Sequence, residues 1–290
     1  MLKEPTHEPS AGVSSHDKPF AFITGAASGI GAETARHFAS LGYRLWLTDR
    51  DAPKLEAVAA ETSAELVDLT DLSDAEALED LCARLEASTN AIDLALVNAG
   101  VVIPGDVIDL ERRAIALQID VNLTAAAFVS HALARKMSAQ RSGHLIATLS
   151  AAALAALPGG AAYAASKFGL RGFMLALAYE LKDAGVRVSC IYPNAIDTPM
   201  LRYEALHGGS ALNFVSPPLP ISDVVKVIDA ARRRKGLEYF APASDWLLLR
   251  LATSRPAWVM RLAPWMTRRG ERGRAAFLKA RGLDQSSRNR

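Results

Sequence analysis

AFITGAASGIGAETARHFASLGYRLWLTDR, residues 21–50, is the stretch on which the reading of the fold turns. AFIT (21–24) is a short apolar run of strand type. It ends in TGAASGIG (24–31), where Gly25, Gly29 and Gly31 stand at the opening of a stretch with helical spacing, 29–41. A second strand-like run, YRLWLTD (43–49), follows. Strand, glycine-rich turn and helix in that order are the context that a dinucleotide-binding turn requires. Without Cβ atoms the backbone can turn tightly and approach a pyrophosphate, and the free N–H groups of a helix start favour its negative charge. A purely structural strand–helix turn would also select glycine, so the meaning of the turn depends on the rest of the chain.

The end of the second run carries two neighbours that pull in opposite directions. Asp49 could accept hydrogen bonds from adenosine ribose hydroxyls and would repel a 2′-phosphate. Arg50 could bind that phosphate. Asp49 holds the strand-end position and Ser28, inside the turn, is not basic, so the residues favour NAD; NADP, held by Arg50, is the alternative.

Outward from this stretch the pattern alternates. Further strand-like runs are AELVD (64–68), IDLALV (92–97), HLIATL (144–149), VRVSCIY (186–192) and LEYF (237–240). Helical spacing marks 51–61, 73–88, 111–137, 162–183 and 221–235. Such alternation argues for a doubly wound α/β fold, a parallel sheet with helices on both faces. One domain is predicted over residues 19–243. A polar leader, 1–18, lacks the apolar core of a signal peptide. A basic, Trp/Leu-rich helical extension is expected over 244–283 and a tail over 284–290, and both that tail and the leader are expected to be disordered. Residues 145–166 carry no charge and would pass a hydropathy window, but Pro158 and Gly159-Gly160 suit a strand–loop–helix better.

The bulk numbers set few limits. A chain of 290 residues, 50% hydrophobic and 22% charged, is ordinary for a globular protein with a sizeable core. The net charge of +2 selects no partner, but it is unevenly placed. From Arg250 onward eleven lysines and arginines face two acids, so that segment carries +9 and the first 249 residues −7. These basic residues lie outside the core and form no known nucleic-acid module, which argues against a nucleic-acid partner. The extension mixes Trp and Leu with Arg. Pro256 and Pro264 are expected to start or kink short helices, and the apolar runs are too short to span a bilayer. It either packs over the pocket or a subunit interface, or rests on an anionic membrane surface. Cys82 and Cys190 suggest neither a metal site nor a disulfide framework and fit a reducing cytoplasm. His37, His131 and His144 have no metal or carboxylate partner in sequence.

Past the middle of the chain, GGAAYAASKFGLRGF (159–173) sets Tyr163 and Lys167 one helical turn apart among small residues. Taken alone, packing and solvation would explain both. Yet TGAASGIG, NAG (98–100), Ser150 and YAASK (163–167) occur in order, with Ser150 thirteen and Asn122 forty-one residues before Tyr163. Together they resemble the short-chain dehydrogenase/reductase family over about residues 19–200. The resemblance implies a Rossmann-type fold and an NAD(P)-dependent oxidoreductase, with a dimer or tetramer as the assembly. It assigns Gly25, Ser28, Gly29, Ile30 and Gly31 to the phosphate turn, Asp49 to the ribose, and Asp68 and Leu69 to the adenine. Asn98, Ala99 and Gly100 would lie along the cofactor, and Ile196 and Thr198 at the nicotinamide carboxamide. Ser150, Tyr163 and Lys167 would be catalytic, with Asn122 as fourth member holding a water. Val97, Leu149 and Asn194 depart from the family pattern; Asn194 replaces a glycine near the nicotinamide end.

The chemistry fits those residue types. A free tyrosine, with a pKa of about 10, is a poor base at neutral pH, and a nearby ammonium favours its phenolate. Ser150 would hydrogen-bond the substrate oxygen as charge develops there. The small, apolar residues at 101–104, 151–157 and 200–220 would line the pocket, so the expected substrate is a hydrophobic secondary alcohol or ketone. A dinucleotide-binding sensor or scaffold without turnover is the alternative of a different class, and the intact Ser150, Tyr163 and Lys167 argue against it.

Overall fold

In the computed structural model, residues 18–283 are described. The expected tail and, apart from Lys18, the expected leader lie outside them. Seven strands form one sheet: β1 (Phe20–Thr24), β2 (Arg44–Asp49), β3 (Leu66–Leu69), β4 (Leu94–Val97), β5 (Gly143–Thr148), β6 (Val186–Pro193) and β7 (Glu238–Ala241). Their order is β3-β2-β1-β4-β5-β6-β7 and every pairing is parallel. The chain therefore returns to the same end before each new strand, which the intervening helices make possible. The strand order reverses between β1 and β4, and a crevice opens there at the carboxyl ends of the strands.

Helices cover both faces. α1 (Gly29–Ser40), α2 (Ala52–Thr62) and, later in the chain, α8 (Ile221–Arg233) lie on one side. α3 (Ala75–Ala87), α5 (Ala126–Gln140) and α6 (Ala161–Glu180) lie on the other. The strands' period of two sorts the side chains between these layers. Ala21 and Ile23 of β1 meet Leu45, Leu47, Phe38 and Ile228; Phe20 and Phe22 meet Trp46, Leu81, Val129 and Leu145. Local caps set where helices begin: Asp74 accepts from the N–H groups of Glu76 and Ala77 at 2.9 and 3.0 Å, and so opens α3.

Two elements differ from the sequence expectation. Residues 111–137 are not one regular helix. α4 (Arg112–Ile119) passes through a π-helical turn, Asp120–Ala125, into α5. Tertiary bonds made by Asn122 accompany the wider turn, as described below. The extension forms α9 (Asp245–Ser254) and one long helix, α10 (Pro256–Ala280), rather than short helices. Pro256 does start α10, but Pro264 lies inside it. A proline there removes one backbone bond, and the helix survives because its second half is tightly packed.

That packing involves the segment after β6. α7 (Pro199–Leu206) leads to a short 3₁₀ turn, Ala211–Phe214. Cβ atoms on Gly270 and Gly273 would lie 2.0 Å from the carbonyl oxygens of Ala211 and Phe214, so only glycine lets α10 sit this close. Phe277 is buried with Leu201, Ala205 and Phe214, and Arg281 pairs with Asp197. α9 is tied on by Leu249, buried against the core, and by Thr253, whose hydroxyl donates to Leu154 O at 2.6 Å.

Candidate active site

The turn after β1 is built as a cradle. Gly25 and Gly29 have φ of +67° and +57°, a region where side chains are strained. A Cβ on Gly31 would sit 2.1 Å from Gly25 O, and one on Gly25 would sit 2.9 Å from Ala99 Cα. The turn thus touches the NAG segment after β4. Thr24 fixes the join: its hydroxyl oxygen accepts from Asn98 N at 2.9 Å and Ala99 N at 3.0 Å. Asn98 Nδ2 donates back to Thr24 O at 3.2 Å. Across the crevice, a Cβ on Gly29 would come within 3.7 Å of Thr198. Ile196 is buried, and the Thr198 hydroxyl caps α7 by accepting from Leu201 N at 3.2 Å. Ser28 is exposed at the start of α1, while Ile30 packs against the core. No acid stands in the first turn of α1, which leaves its N–H groups open to an anion. This cradle fits a dinucleotide.

At the end of β2, Asp49 accepts from Ala27 N at 3.0 Å and from Asp51 N at 3.1 Å. Its carboxylate is thereby aimed across the glycine turn. Arg50 is exposed, with only a 3.8 Å pairing to Asp71. One sequence expectation is partly displaced. The Asp68 carboxylate accepts from Trp46 Nε1 at 2.7 Å and pairs with Arg84 at 3.3 Å, so it is not brought to the cradle. Leu69, 64% exposed at the end of β3, lies beside Asp49 in the strand register.

The catalytic candidates converge from three elements: the end of β5, α6 and the π-helical turn. Ser150 follows β5 and caps the next short turn, its Oγ accepting from Ala152 N at 3.1 Å. Tyr163 and Lys167 lie one turn apart on α6, with Lys167 Nζ 5.8 Å from the phenol ring centre. Lys167 is only 4% exposed and donates to Thr148 O at 3.1 Å. Gly100 lies beside it: a Cβ there would be 3.7 Å from Lys167 Nζ and 3.1 Å from Asn122 Oδ1. Asn122, fully buried in the π-helical turn, accepts from Val101 N at 2.7 Å and donates to Val101 O at 2.9 Å. It also donates to Ser166 Oγ at 3.2 Å. The Asn122 side chain therefore positions the NAG loop and α6. Gln118, which sequence reading missed, does the same for Ile103, at 3.1 and 3.3 Å. Its place four residues before Asn122 was the available signal.

The electrostatics depart from expectation. Burial holds the Lys167 ammonium down at about 8, so it stays mostly charged at pH 7. The Tyr163 phenol is pushed up, not down. Burial is the main cause, the Glu204 carboxylate adds to it, and a hydrogen bond from Ser150 opposes it. Lys167, whose ammonium is directed to Thr148, does not offset these effects in the protein alone. Glu204, on α7, is the second group missed by the sequence. It accepts from Asn213 Nδ2 at 3.1 Å, and burial raises it to about 7. Three loops close around this region: Gly105 N donates to Gly159 O at 3.0 Å, and a Cβ on Gly159 would be 3.7 Å from Gly208 O.

A prediction follows from Glu204. Its negative charge disfavours the phenolate, so Glu204→Gln lowers the Tyr163 pKa. The ascending, acid-side limb of a pH–rate profile for alcohol oxidation then moves to lower pH, with a gain of roughly threefold at neutral and higher pH, where Glu204 is charged in the parent. Because the folded-state pKa of Glu204 itself is raised, its protonated form stabilises the fold at low pH, and that stability is lost as pH rises through about 7. Glu204→Gln should therefore melt higher than the parent above pH 7 and equally at pH 4. An unmoved ascending limb would remove Glu204 from the electrostatics of the site.

Comparison with known proteins agrees with this geometry. Residues 19–207 match the family model described as short chain dehydrogenase. A 1-deoxy-11-beta-hydroxypentalenate dehydrogenase of Streptomyces exfoliatus is 36% identical over 193 residues, covering 63% of this chain and 69% of the relative. A short-chain dehydrogenase of Sphingobium yanoikuyae, solved in complex with NADPH, superposes with a TM-score of 0.73 at 26% identity, covering 83% of this chain and 95% of that one. A bulky-bulky ketone specific alcohol dehydrogenase of Comamonas testosteroni gives 0.70 at 26% identity, covering 81% and 92%. With a glycine-turn cradle that fits a dinucleotide and a Ser–Tyr–Lys group in the same fold, this chain belongs to the short-chain dehydrogenase family, as an oxidoreductase acting on alcohol and ketone groups.

Proposed function

We propose that the protein transfers hydride between NAD and a hydrophobic secondary alcohol or its ketone, with Tyr163 as the general acid/base. The observation that carries this reading is the buried Lys167 one helical turn from Tyr163, its ammonium 5.8 Å from the phenol ring centre, with Ser150 acting to favour the phenolate. A nicotinamide dinucleotide, when bound, supplies the hydride acceptor or donor. Gly25, Gly29, Gly31 and the start of α1 would hold its pyrophosphate, Asp49 its ribose, and Ile196 with Thr198 its carboxamide. In oxidation Ser150 orients the substrate hydroxyl, and the Tyr163 phenolate removes its proton; in reduction the phenol returns it. Lys167 keeps a positive charge next to the phenolate in a site where little water screens it. Asn122 and Gln118 keep the loop after β4 in place.

Small apolar residues at 101–104 and 151–157 support the hydrophobic substrate class. By their names, the Streptomyces relative acts on a 1-deoxy-11-beta-hydroxypentalenate and the Comamonas enzyme on bulky-bulky ketones, which agrees with a sizeable substrate. Cys82 and Cys190 are buried free thiols, raised by burial to about 11 and about 12, and support a reducing, cytoplasmic setting. A homodimer or homotetramer is part of the reading, with the exposed Phe128 of α5 and Phe168 and Tyr179 of α6 as the apolar side chains it would cover.

The cofactor has a second reading, because exposed Arg50 is free to turn towards a 2′-phosphate and the Sphingobium structure holds NADPH. Initial rates with NAD and NADP on one alcohol decide between them. We expect kcat/KM for NAD to exceed that for NADP by about tenfold or more, since two like charges at Asp49 and the phosphate repel in a partly desolvated site. Asp49→Ser should move that ratio towards NADP by a similar factor. A parent enzyme that prefers NADP, and loses that preference in Arg50→Ser, would transfer the role to Arg50.

A further inference from the structure

The extension has two different halves. From Gly270 onward α10 is seated on the turn Ala211–Phe214 after α7. The preceding part, apart from the Leu249 and Thr253 anchors of α9, is largely exposed. Of the nineteen exposed large hydrophobic side chains among the described residues, eight fall in residues 246–265, so exposed apolar side chains are concentrated in this segment beyond ordinary scatter. Three of the chain's four tryptophans are in it, Trp246 at 49%, Trp258 at 64% and Trp265 at 64% exposure, whereas Trp46 is buried. On α10, Trp258, Leu262 and Trp265 follow i, i+4, i+7 spacing and form one stripe. Arg261 and Arg268 follow Trp258 and Trp265 by three residues each and therefore line the flank of that stripe.

Charge decides what covers the patch. Between Trp246 and Gly270 there are five arginines and no acidic residue. Arg250 is engaged by Glu238, and Arg269 donates to Val215 O. Arg255, Arg261 and Arg268 have no acidic partner among the described residues. A second copy docking symmetrically would set this patch against itself, arginine facing arginine with no carboxylate in the same stretch to offset the repulsion. An anionic bilayer supplies the missing negative charge. Its interface also suits tryptophan, whose ring is apolar and whose N–H remains hydrated.

We propose that the Trp246–Arg269 face docks on an anionic phospholipid surface, with the tryptophans in the interfacial layer and the free arginines on lipid phosphates and carboxylates. The helices lie on the membrane and do not cross it, because arginine interrupts every apolar run. Docking stands apart from the catalytic reading, since none of these side chains belongs to the active site. It does give an apolar substrate a nearby source: the docked half of α10 continues without interruption into Gly270 and Gly273, which rest on the turn after α7.

The test is co-sedimentation of the full-length protein with phosphatidylcholine vesicles, with and without about one third phosphatidylserine, at low and physiological salt. We expect binding to the anionic vesicles, weakening with salt, and a blue shift of tryptophan emission on binding. Arg261→Glu/Arg268→Glu and Trp258→Ala/Trp265→Ala should each lower the partition coefficient by about tenfold or more. Both variants leave Leu249, Phe277 and the active site untouched, so turnover of a water-soluble alcohol and the melting temperature should match the parent. Absence of binding to anionic vesicles at low salt would overturn the proposal. So would binding that neither variant weakens, or a protein-concentration-dependent dimer that the tryptophan variant abolishes without any response to lipid.

Discussion

Tyr163→Phe should lose turnover by a factor of about 10²–10⁴, the usual worth of a positioned acid/base group. The substitution removes one oxygen and nothing else. Tyr163 lies on the first turns of α6, and the contacts that hold that helix are made by its neighbours Ala162, Ala164 and Ser166, all buried. Ser166 donates to the Tyr163 carbonyl, a backbone bond that phenylalanine keeps. The fold and dinucleotide affinity should therefore stay near the parent's. Paired measurements decide: steady-state rates for kcat, and fluorescence titration of the reduced cofactor for affinity. A variant that retains turnover would remove Tyr163 from proton transfer.

Gly31→Ala should abolish cofactor binding. A Cβ at that position meets Gly25 O at 2.1 Å, a backbone atom that cannot yield without moving the turn. Moving the turn displaces the N–H groups at the start of α1 that would hold a pyrophosphate. It also disturbs Gly25 against Ala99 and hence the Thr24–Asn98 join. Overpacking of this kind costs about 1–3 kcal/mol of stability, so the variant should melt lower yet remain folded. Calorimetric titration with the reduced cofactor, beside a thermal melt, separates the two effects. Parent-like affinity in Gly31→Ala would mean that the cradle is not the binding turn.

Much of this arrangement is legible in the residues. Phe20–Thr24 alternates between two apolar layers because both faces of a parallel sheet are covered, and that gives a near-continuous apolar run. The same regularity exposes the glycine turn after β1, whose spacing is dictated by backbone contact. Tyr163, Lys167 and Ser150 are legible because a helical turn and a strand end bring them to one place. The π-helical turn at Asp120–Ala125 is not, because it accompanies bonds from Asn122 to Val101 and Ser166, partners 21 and 44 residues away. Glu204 is equally hidden: nothing local to α7 relates it to a phenol on α6. The fate of Asp68 depends on Trp46, which only strand register brings alongside. In the extension, the three-residue spacing of Gly270 and Gly273 was a usable sign of close helix approach. The long helix through Pro264 was not legible, since the packing that sustains it lies in the segment after β6.

The central claim is that one crevice joins a dinucleotide cradle to a Ser150–Tyr163–Lys167 acid/base group serving an apolar alcohol. The most direct test is absorbance at the reduced-nicotinamide band, with purified protein and NAD, over a panel running from small polyols to bulky apolar secondary alcohols. Reduced cofactor should accumulate with the apolar alcohols, and none in Tyr163→Phe. Turnover confined to polyols or sugars, or turnover that persists at the parent rate in Tyr163→Phe, would contradict that claim.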